Sequence, residues 1–340
     1  MPPRTQRRRT SISDVARHAG VSVGTVSNVL NRPERVSPGT RERVETAIAE
    51  LSFVRNGSAR QLRAGRITTV GAIVLDISNP FFTDVTRGIE ERLTADDYTL
   101  MVASSDRDPE REARYLRLFE EHGVRGVMVV PTADSIDHLL AVRERGIGVV
   151  LLDHPSPVAS VSSVAVDDVL GGALATRHLL EQGHTRLAFL NGAHSIRQCA
   201  DRLAGVRQAL TDAGLDPDEA LVEVTVSLDA DGGEAGVRAL LDGPDRPTAV
   251  FCVNDLVALG AMRTLRRAGM SVPDDMALVG YDDVTFAAEL ATPLTSVRQP
   301  RHELGVRAAD LMLRGGDAPA EHLVFQPELV VRESSTGAAA

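Results

Sequence analysis

The residues with the most chemistry to offer in this 340-residue chain stand where apolar runs end. The run Thr69–Leu75 leads into Asp76-Ile77-Ser78-Asn79-Pro80-Phe81-Phe82, and Val149–Leu152 leads into Asp153-His154. Later runs are followed by Asn191-Gly192, Asn254-Asp255 and Tyr281-Asp282-Asp283. Carboxylates, amides and arginines such as Arg107 and Arg202, set beside one or two aromatic faces, suit a ligand rich in hydroxyls or a heterocycle. Burying such a ligand requires each of its polar atoms to find a partner. An aspartate after a strand also caps the following helix, and Asp167-Asp168, Asp255 and Asp283 are read in that way. Of Phe81 and Phe82, at least one is expected to serve the core as well.

Several other chemistries lack their motifs. The chain has no lysine, which excludes Schiff-base lysines and a GxxxxGK[ST] phosphate loop. No GxGxxG follows the first strand-like run, there is no HExxH or CxxC, and no GxSxG elbow between a strand and a helix supports a Ser/His/Asp triad. His178 and His184 are six apart, expected on or after a helix, and the nine histidines show no metal-ligand spacing. Neither an enzyme, nor a metal site, nor a cofactor is expected. Cys199 and Cys252 are too few for a disulfide framework and are read as small core residues in a reducing cytoplasm.

A second constellation lies near the N-terminus, where residues 1–66 carry 13 Arg against 5 acids, a balance of +8. The rest of the chain stands at −18, so the basic end points to a polyanion as partner. From Ser11 the text reads SISDVARHAGVSVGTVSNVLN. Ser11 and Asp14 have capping-box spacing, and Gly20 suits a left-handed stop. Ser22 is placed to cap a second helix, Val23 to Leu30, that buries Val26, Val29 and Leu30. Its Val23, Gly24, Thr25, Ser27 and Asn28 are left outward, types that pack on a thymine methyl or hydrogen-bond base edges and phosphates. Ser37-Pro38 opens a third helix that buries Val44, Ile48 and Leu51. Two short helices across a glycine turn, braced by a third, make a helix-turn-helix.

The elements that position the first set of residues are strands. Nine short apolar runs, from Thr69–Leu75 to Ala277–Val279, alternate with amphipathic helical stretches. That alternation implies parallel sheets covered on both faces, in two series. In doubly wound sheets ligands sit beyond the carboxyl ends of the strands, where the polar residues above are found. No apolar run approaches the roughly 18 residues of a membrane span, and no secretory signal is read at the N-terminus. Between head and body, the stretch GSARQLRAG at 57–65 is arginine-rich and too short for a stable isolated helix.

Residues 11–66 resemble the head of the lac repressor/galactose repressor family of bacterial regulators. The resemblance rests on ISDVARHAGVSVGTVSNVLN, RVSPGTRERV and ARQLRAG. Weaker matches continue to about residue 335: SNPFF at 78–82, DRLAG at 201–205, VNDLVALGAM at 253–262, VGYDD at 279–283 and LTSVRQP at 294–300. The resemblance implies an α/β chain: a helix-turn-helix head on a two-lobed, periplasmic-binding-protein-like body with doubly wound parallel sheets. The expected divisions are 1–56 for the head and 57–66 for a hinge helix. The first lobe takes 67–166 and 298–326, and the second takes 167–297 and 327–335. Carried over residue by residue, it places Ser11, Val23, Gly24, Thr25, Ser27, Asn28, Arg60, Leu62 and Arg63 on DNA. It places Phe81, Phe82, Arg107, Asp153, Arg202, Asn254, Asp282 and Gln299 around an effector.

The implied partners are operator DNA, a second copy of the chain and a small-molecule effector, with no membrane. Paired hinges would fold on DNA and wedge Leu62 into the minor groove, kinking the duplex. A carbohydrate inducer that releases a repressor is the favoured effector, and a purine or nucleoside corepressor is the alternative. An enzyme or a solute-binding protein on the same fold is less favoured. The chain departs from the family pattern in having no tryptophan, and Leu228 stands where some relatives place an aromatic ring. Ring stacking would then fall to Phe81 or Phe82.

Overall fold

The computed structural model describes residues 10–53, 67–132, 136–243, 246–315 and 318–336. The hinge expectations at Arg60, Leu62 and Arg63 lie outside them. The chain divides into two units, Met1–Ile67 and Thr68–Ala340.

In the first unit, α1 (Ile12–Ala19) begins with the expected capping box. The Ser11 hydroxyl accepts from the Asp14 amide, and the Asp14 carboxylate accepts from the Ser11 amide at 2.9 Å. Gly20 ends the helix at φ 64°. Ser22 caps α2 (Val23–Asn31) at the Thr25 amide, and α3 (Pro38–Glu50) follows. Ser37 occupies the N-cap position of α3, but its hydroxyl donates to Thr40 Oγ1 rather than accepting from the backbone. Val15, Ala16, Ala19, Val26, Val29, Val44 and Ala47 form the core. Three short helices suffice because each contributes one apolar stripe to that centre.

The second unit holds two six-stranded sheets. The first lobe comprises β1 (Thr69–Val74), α4 (Pro80–Thr94), β2 (Thr99–Ser104), α5 (Pro109–Glu121), β3 (Gly126–Val129), α6 (Ile136–Glu144), β4 (Gly148–Leu152) and β5 (Ser162–Val166). The chain then enters the second lobe: α7 (Asp168–Glu181), β6 (Leu187–Asn191), α8 (Arg197–Asp212), α9 (Pro217–Ala220), β7 (Leu221–Thr225), α10 (Ala230–Asp242), β8 (Ala249–Cys252), α11 (Asp255–Arg267), β9 (Ala277–Asp282) and β10 (Thr295–Arg298). It recrosses for α12 (Arg301–Arg314) and β11 (His322–Phe325), and crosses a third time for β12 (Glu328–Val330). Strand order is β11-β5-β4-β3-β1-β2 in one lobe and β12-β10-β9-β8-β6-β7 in the other. All pairings are parallel except that of β12 with β10. The strands β10, β11 and β12 have three or four residues each and no fully apolar run, so the alternation did not signal them.

Helices cover both faces of each sheet, and three helix pairs approach through reciprocal glycines. A Cβ on Gly88 of α4 would lie 2.1 Å from the His302 carbonyl oxygen of α12, and one on Gly305 of α12 would lie 2.0 Å from the Val85 carbonyl. Gly172 and Gly205 do the same for α7 and α8, as do Gly233 and Gly260 for α10 and α11. The obstacles are backbone atoms, so no side-chain rotation relieves them. Gly305→Ala is therefore expected to force α12 off α4 and to cost about 1–3 kcal/mol, the range for overpacking. Urea unfolding checks this, and an unchanged midpoint would contradict the close approach.

Candidate functional site

The outward residues of the head lie on the N-terminal half of α2. Val23 is 43% exposed, and Gly24 and Asn28 are exposed too. The Asn28 amide makes no side-chain hydrogen bond among the described residues. Thr25 shares a hydroxyl contact with Ser22 at 2.9 Å, and Ser27 accepts from the Asn31 amide. Ser11 spends its hydroxyl on the cap, donating to Asp14 Oδ2 at 2.6 Å. The open N-terminus of α2 adds free backbone N–H groups, a natural seat for a phosphate.

In the body, the carboxyl ends of β1, β4, β8 and β9 converge on the cleft between the lobes. Among the described residues, seven non-glycine residues have positive φ; Arg107, Asp153 and Asp282 of these line the cleft, and Asp106 and Asp283 are their chain neighbours. Left-handed backbone at side-chain-bearing residues is costly and persists where the surroundings hold it, as at ligand clamps. The inner cleft is walled by Asp76, Phe81, Phe82, Arg107, Asp153, Gln198, Arg202, Asn254 and Asp282, among others.

Arg202 is the centre of this arrangement. It is buried on α8, donates from Nε to Asp168 Oδ1 at 2.8 Å and from Nη1 to the Val253 carbonyl at 2.6 Å. Its guanidinium lies 3.6 Å from the ring centre of Tyr281. Burial opposes its charge, yet the Asp168 carboxylate and its neighbours raise its pKa overall. The carboxylates pay for the same burial. Desolvation, followed by repulsion from Asp168, pushes Asp153 well above the ordinary range. Desolvation also raises Asp168, and it lifts Asp282 to about 6 despite Arg202. Gln198 donates to Asp153 Oδ2 at 3.1 Å and to its carbonyl, while Asp153 Oδ1 is buried with no partner among the described residues.

The other expected residues take varied places. Phe81 and Phe82 meet edge to face at 4.9 Å and are 2% and 6% exposed, so both line the cleft and both belong to the first-lobe core. Asn254 lines the cleft while its Oδ1 caps α11 at the Val257 amide. Arg107 stands 3.7 Å from Asp76 Oδ2. Gln299 does not line the cleft itself and instead donates to Asp282 Oδ1 at 2.7 Å, orienting that carboxylate. Arg301 ties the lobes together, donating to the Asp282 and Asp283 carbonyls and to Asp84 Oδ2 of α4.

The four aspartates expected as caps divide. Asp167 caps α7 at the Leu170 amide, but Asp168 pairs with Arg202 instead. Asp255 is fully buried and accepts from the Val284 amide and the Ser296 hydroxyl, because Asn254 has already taken the cap. Asp283 faces Arg298 and Arg332. Gln198 was missed, although its place four residues before Arg202 on one helix face was a usable signal. Cys199 and Cys252 are both buried, and burial raises the Cys199 thiol to about 11, as inert core residues require. Among the described residues no cluster is placed to hold a metal, and no helix is long and apolar enough to cross a membrane.

Two family models match this chain: bacterial regulatory proteins of the lacI family over residues 11–56, and the periplasmic binding proteins and sugar binding domain of the LacI family over 67–325. The chain belongs to the LacI family. Among its relatives, the HTH-type transcriptional regulator DegA of Bacillus subtilis (strain 168) is 36% identical over 335 residues, covering 96% of this chain and 98% of the relative. The HTH-type transcriptional repressor PurR of Vibrio atlanticus (strain LGP32) is 33% identical, covering 95% and 98%. Among solved structures, a complex of the transcriptional regulator CelR with cellobiose is 35% identical, covers 96% and 100%, and has a TM-score of 0.68. The lac repressor dimer bound to operator and the anti-inducer ONPF is 28% identical, covers 97% and 100%, and has a TM-score of 0.77. This LacI-family protein is therefore a DNA-binding transcriptional regulator with a ligand-binding body, and not an enzyme.

Proposed function

We propose that this regulator is a cytoplasmic repressor that binds its operator as a homodimer and releases it when a small carbohydrate occupies the cleft. The observation that carries the effector class is the ring of hydrogen-bonding groups from both lobes: Asp76, Arg107 and Asp153 from one, Arg202, Asn254 and Asp282 from the other. A polyhydroxyl ligand satisfies such a ring, and it also supplies the donor that Asp153 Oδ1 lacks. The purine alternative draws on the likeness to PurR, but a flat base gains most from an aromatic sandwich. Here Phe81 and Phe82, in contact with each other, are the only rings lining the inner cleft among the described residues, and Leu228 lines it as an aliphatic side chain.

The dimer reading is supported by the likeness to the lac repressor dimer bound to operator, and two grooves of the body are candidate faces for it. One of about 680 Å³ runs between α4 and β2, past Thr86, Glu90, Leu100 and Val102. The other, of about 290 Å³, is lined by Leu259, Met262, Met270, Val272 and Leu290. On DNA, α2 would read a half-site through Val23, Gly24, Thr25, Ser27 and Asn28, while Arg60 and Arg63 flank an inserted Leu62. The head expectation is tested by Asn28→Ala, which should weaken specific operator binding by about 1–3 kcal/mol and leave non-specific duplex binding nearly unchanged. Fluorescence anisotropy at several salt concentrations reads both. A uniform loss on all sequences would make Asn28 a phosphate contact instead. Adding cellobiose, ribose or hypoxanthine to the operator complex tests the whole reading: release by a sugar supports it, and tighter binding with hypoxanthine alone would replace it with the corepressor.

A further inference from the structure

Arg301 opens α12, which packs on α4 in the first lobe, and its guanidinium reaches into the second. Nε donates to Asp84 Oδ2 of α4 at 2.9 Å, while Nη1 donates to the carbonyl oxygens of both Asp282 and Asp283. Asp84 lines no part of the cleft, whereas Asp282 does. Resting on the effector role proposed above for Asp282, for a sugar or a purine alike, we infer that Arg301 is a positioning residue. It sets the Asp282 carboxylate for the effector and couples the state of that carboxylate to α4 through Asp84.

Backbone conformation gives the first reason. Asp282 and Asp283 have φ of 101° and 49°, a left-handed pair that side-chain-bearing residues keep only where the surroundings hold them. The Asp283 amide donates to the Ser296 hydroxyl at 3.0 Å, and the next amide, of Val284, donates to Asp255 Oδ2 at 2.8 Å. Ser296 and Asp255 lie in the second lobe with the turn itself. Arg301 takes the two carbonyls from the other lobe, so the strained turn is held partly from across the cleft.

Charge gives the second. The Arg301 side chain is 16% exposed, so its field at Asp282 is little screened. Burial raises the Asp282 carboxyl to about 6, and Arg202, then Gln299 and Arg301, oppose the rise. The titratable groups around Asp282 are Arg202 of α8, Arg301 of α12, Asp153 after β4, Asp255 of α11 and Tyr281 of β9. Of the two arginines, Arg202 is bound to Asp168 and to the Val253 carbonyl within the second lobe. Arg301 is the one whose hold on Asp282 changes when the lobes move.

The far end of the contact gives the third. Helix α4 carries Phe81 and Phe82 in the cleft wall and Thr86 and Glu90 along the groove of about 680 Å³, and Asp84 stands between the two pairs. A ligand that shifts Asp282 therefore reaches the outer face of α4 through two hydrogen-bonded steps. Coupling between distant sites needs such a contiguous element that both sites bias.

Calorimetry with cellobiose, ribose and hypoxanthine, and urea unfolding across pH, both on the full-length protein, test the role. Arg301→Met should weaken whichever of the three ligands the parent binds by about tenfold. Arg301→Lys keeps the charge but cannot reach the carbonyls and Asp84 together, so it should lose about threefold. Asp84→Asn, outside the cleft, should lose about as much as the lysine variant and barely move the urea midpoint. In Arg301→Met the loss of stability that Asp282 causes with rising pH should extend to higher pH than in the parent, because a cation opposing protonation is gone. Arg301→Lys should leave that profile in place. Asp84→Asn and Asp282→Asn should combine non-additively, by about threefold in the unfolding equilibrium constant, and additively once Arg301 is Met. Unchanged affinity in both Arg301→Met and Asp84→Asn, or non-additivity that survives without Arg301, overturns the positioning role and leaves Asp282 as an effector contact. An affinity loss with the pH profile unmoved reduces Arg301 to a structural tie and overturns it too. Parental affinity in Asp282→Asn, or binding of none of the three ligands, overturns the effector reading of Asp282 and Arg301's part in it.

Discussion

Arg202→Met is expected to destabilise the effector-binding body by about 3–5 kcal/mol and to abolish its response to ligand. The substitution keeps most of the side-chain volume, so a cavity is not the cause. It removes the cation that faces Asp168 at 2.8 Å and that offsets the fields of Asp153 and Asp282. Breaking one partner of a buried pair leaves an uncompensated charge, and the range quoted is what such breaks cost. The Val253 carbonyl loses its donor from Arg202, and the Tyr281 ring loses the guanidinium stacked on it. Urea unfolding of the variant against the parent reads the loss. A double variant, Arg202→Met with Asp168→Asn, should recover part of it, because the orphaned carboxylate is gone. Were the single variant as stable as the parent, the charge cluster would not be what holds the second lobe's cleft wall.

The second large effect is on pH dependence, and its sign is opposite to that of a salt-bridged carboxylate. Burial lifts Asp282 from the ordinary 3.8 to about 6, so between those values the folded chain binds a proton that the unfolded chain has released. Stability is then fullest below the unfolded pKa and is lost as pH rises through about 6. A rise of this size corresponds to roughly 3 kcal/mol, and Asp153 and Asp168, shifted the same way by burial, add to the trend. Thermal unfolding between pH 5 and 8 should show a falling midpoint. Asp282→Asn should flatten that slope and make the protein more stable than the parent at pH 8, since an amide carries no charge to desolvate and its oxygen still accepts from Gln299. The same variant should lose effector affinity. A stable variant that cannot sense is the expected outcome where binding groups are held at a cost to the fold. If its stability instead runs parallel to the parent's across pH, Asp282 does not carry the titration.

The operator-side and effector-side residues differ in how legible they were. Ser11, Asp14, Gly20 and Ser22 act on backbone atoms two to four residues away, so the helix-turn-helix follows from local spacing. The alternation of strands and helices was equally local, and it placed Asp153, Asn254 and Asp282 at strand ends. What spacing could not separate was Asp167 from Asp168: both follow β5, both are aspartates, and only one caps α7. The other is claimed by Arg202, 34 residues on. Asp255 was likewise decided by Val284 and Ser296, 29 and 41 residues away. Gln198 reaches Asp153 across 45 residues and between the lobes.

By itself, then, the sequence determined the head, the two-lobed class and the identity of the polar residues at the strand ends, because caps, apolar period and turn residues act within one element. The tertiary structure decided which carboxylates share the buried guanidinium of Arg202 and which glycines bring helices into backbone contact. Those depend on distances between elements far apart in the chain, and on burial, which turns the same aspartate into a cap, an ion-pair partner or a raised-pKa ligand group.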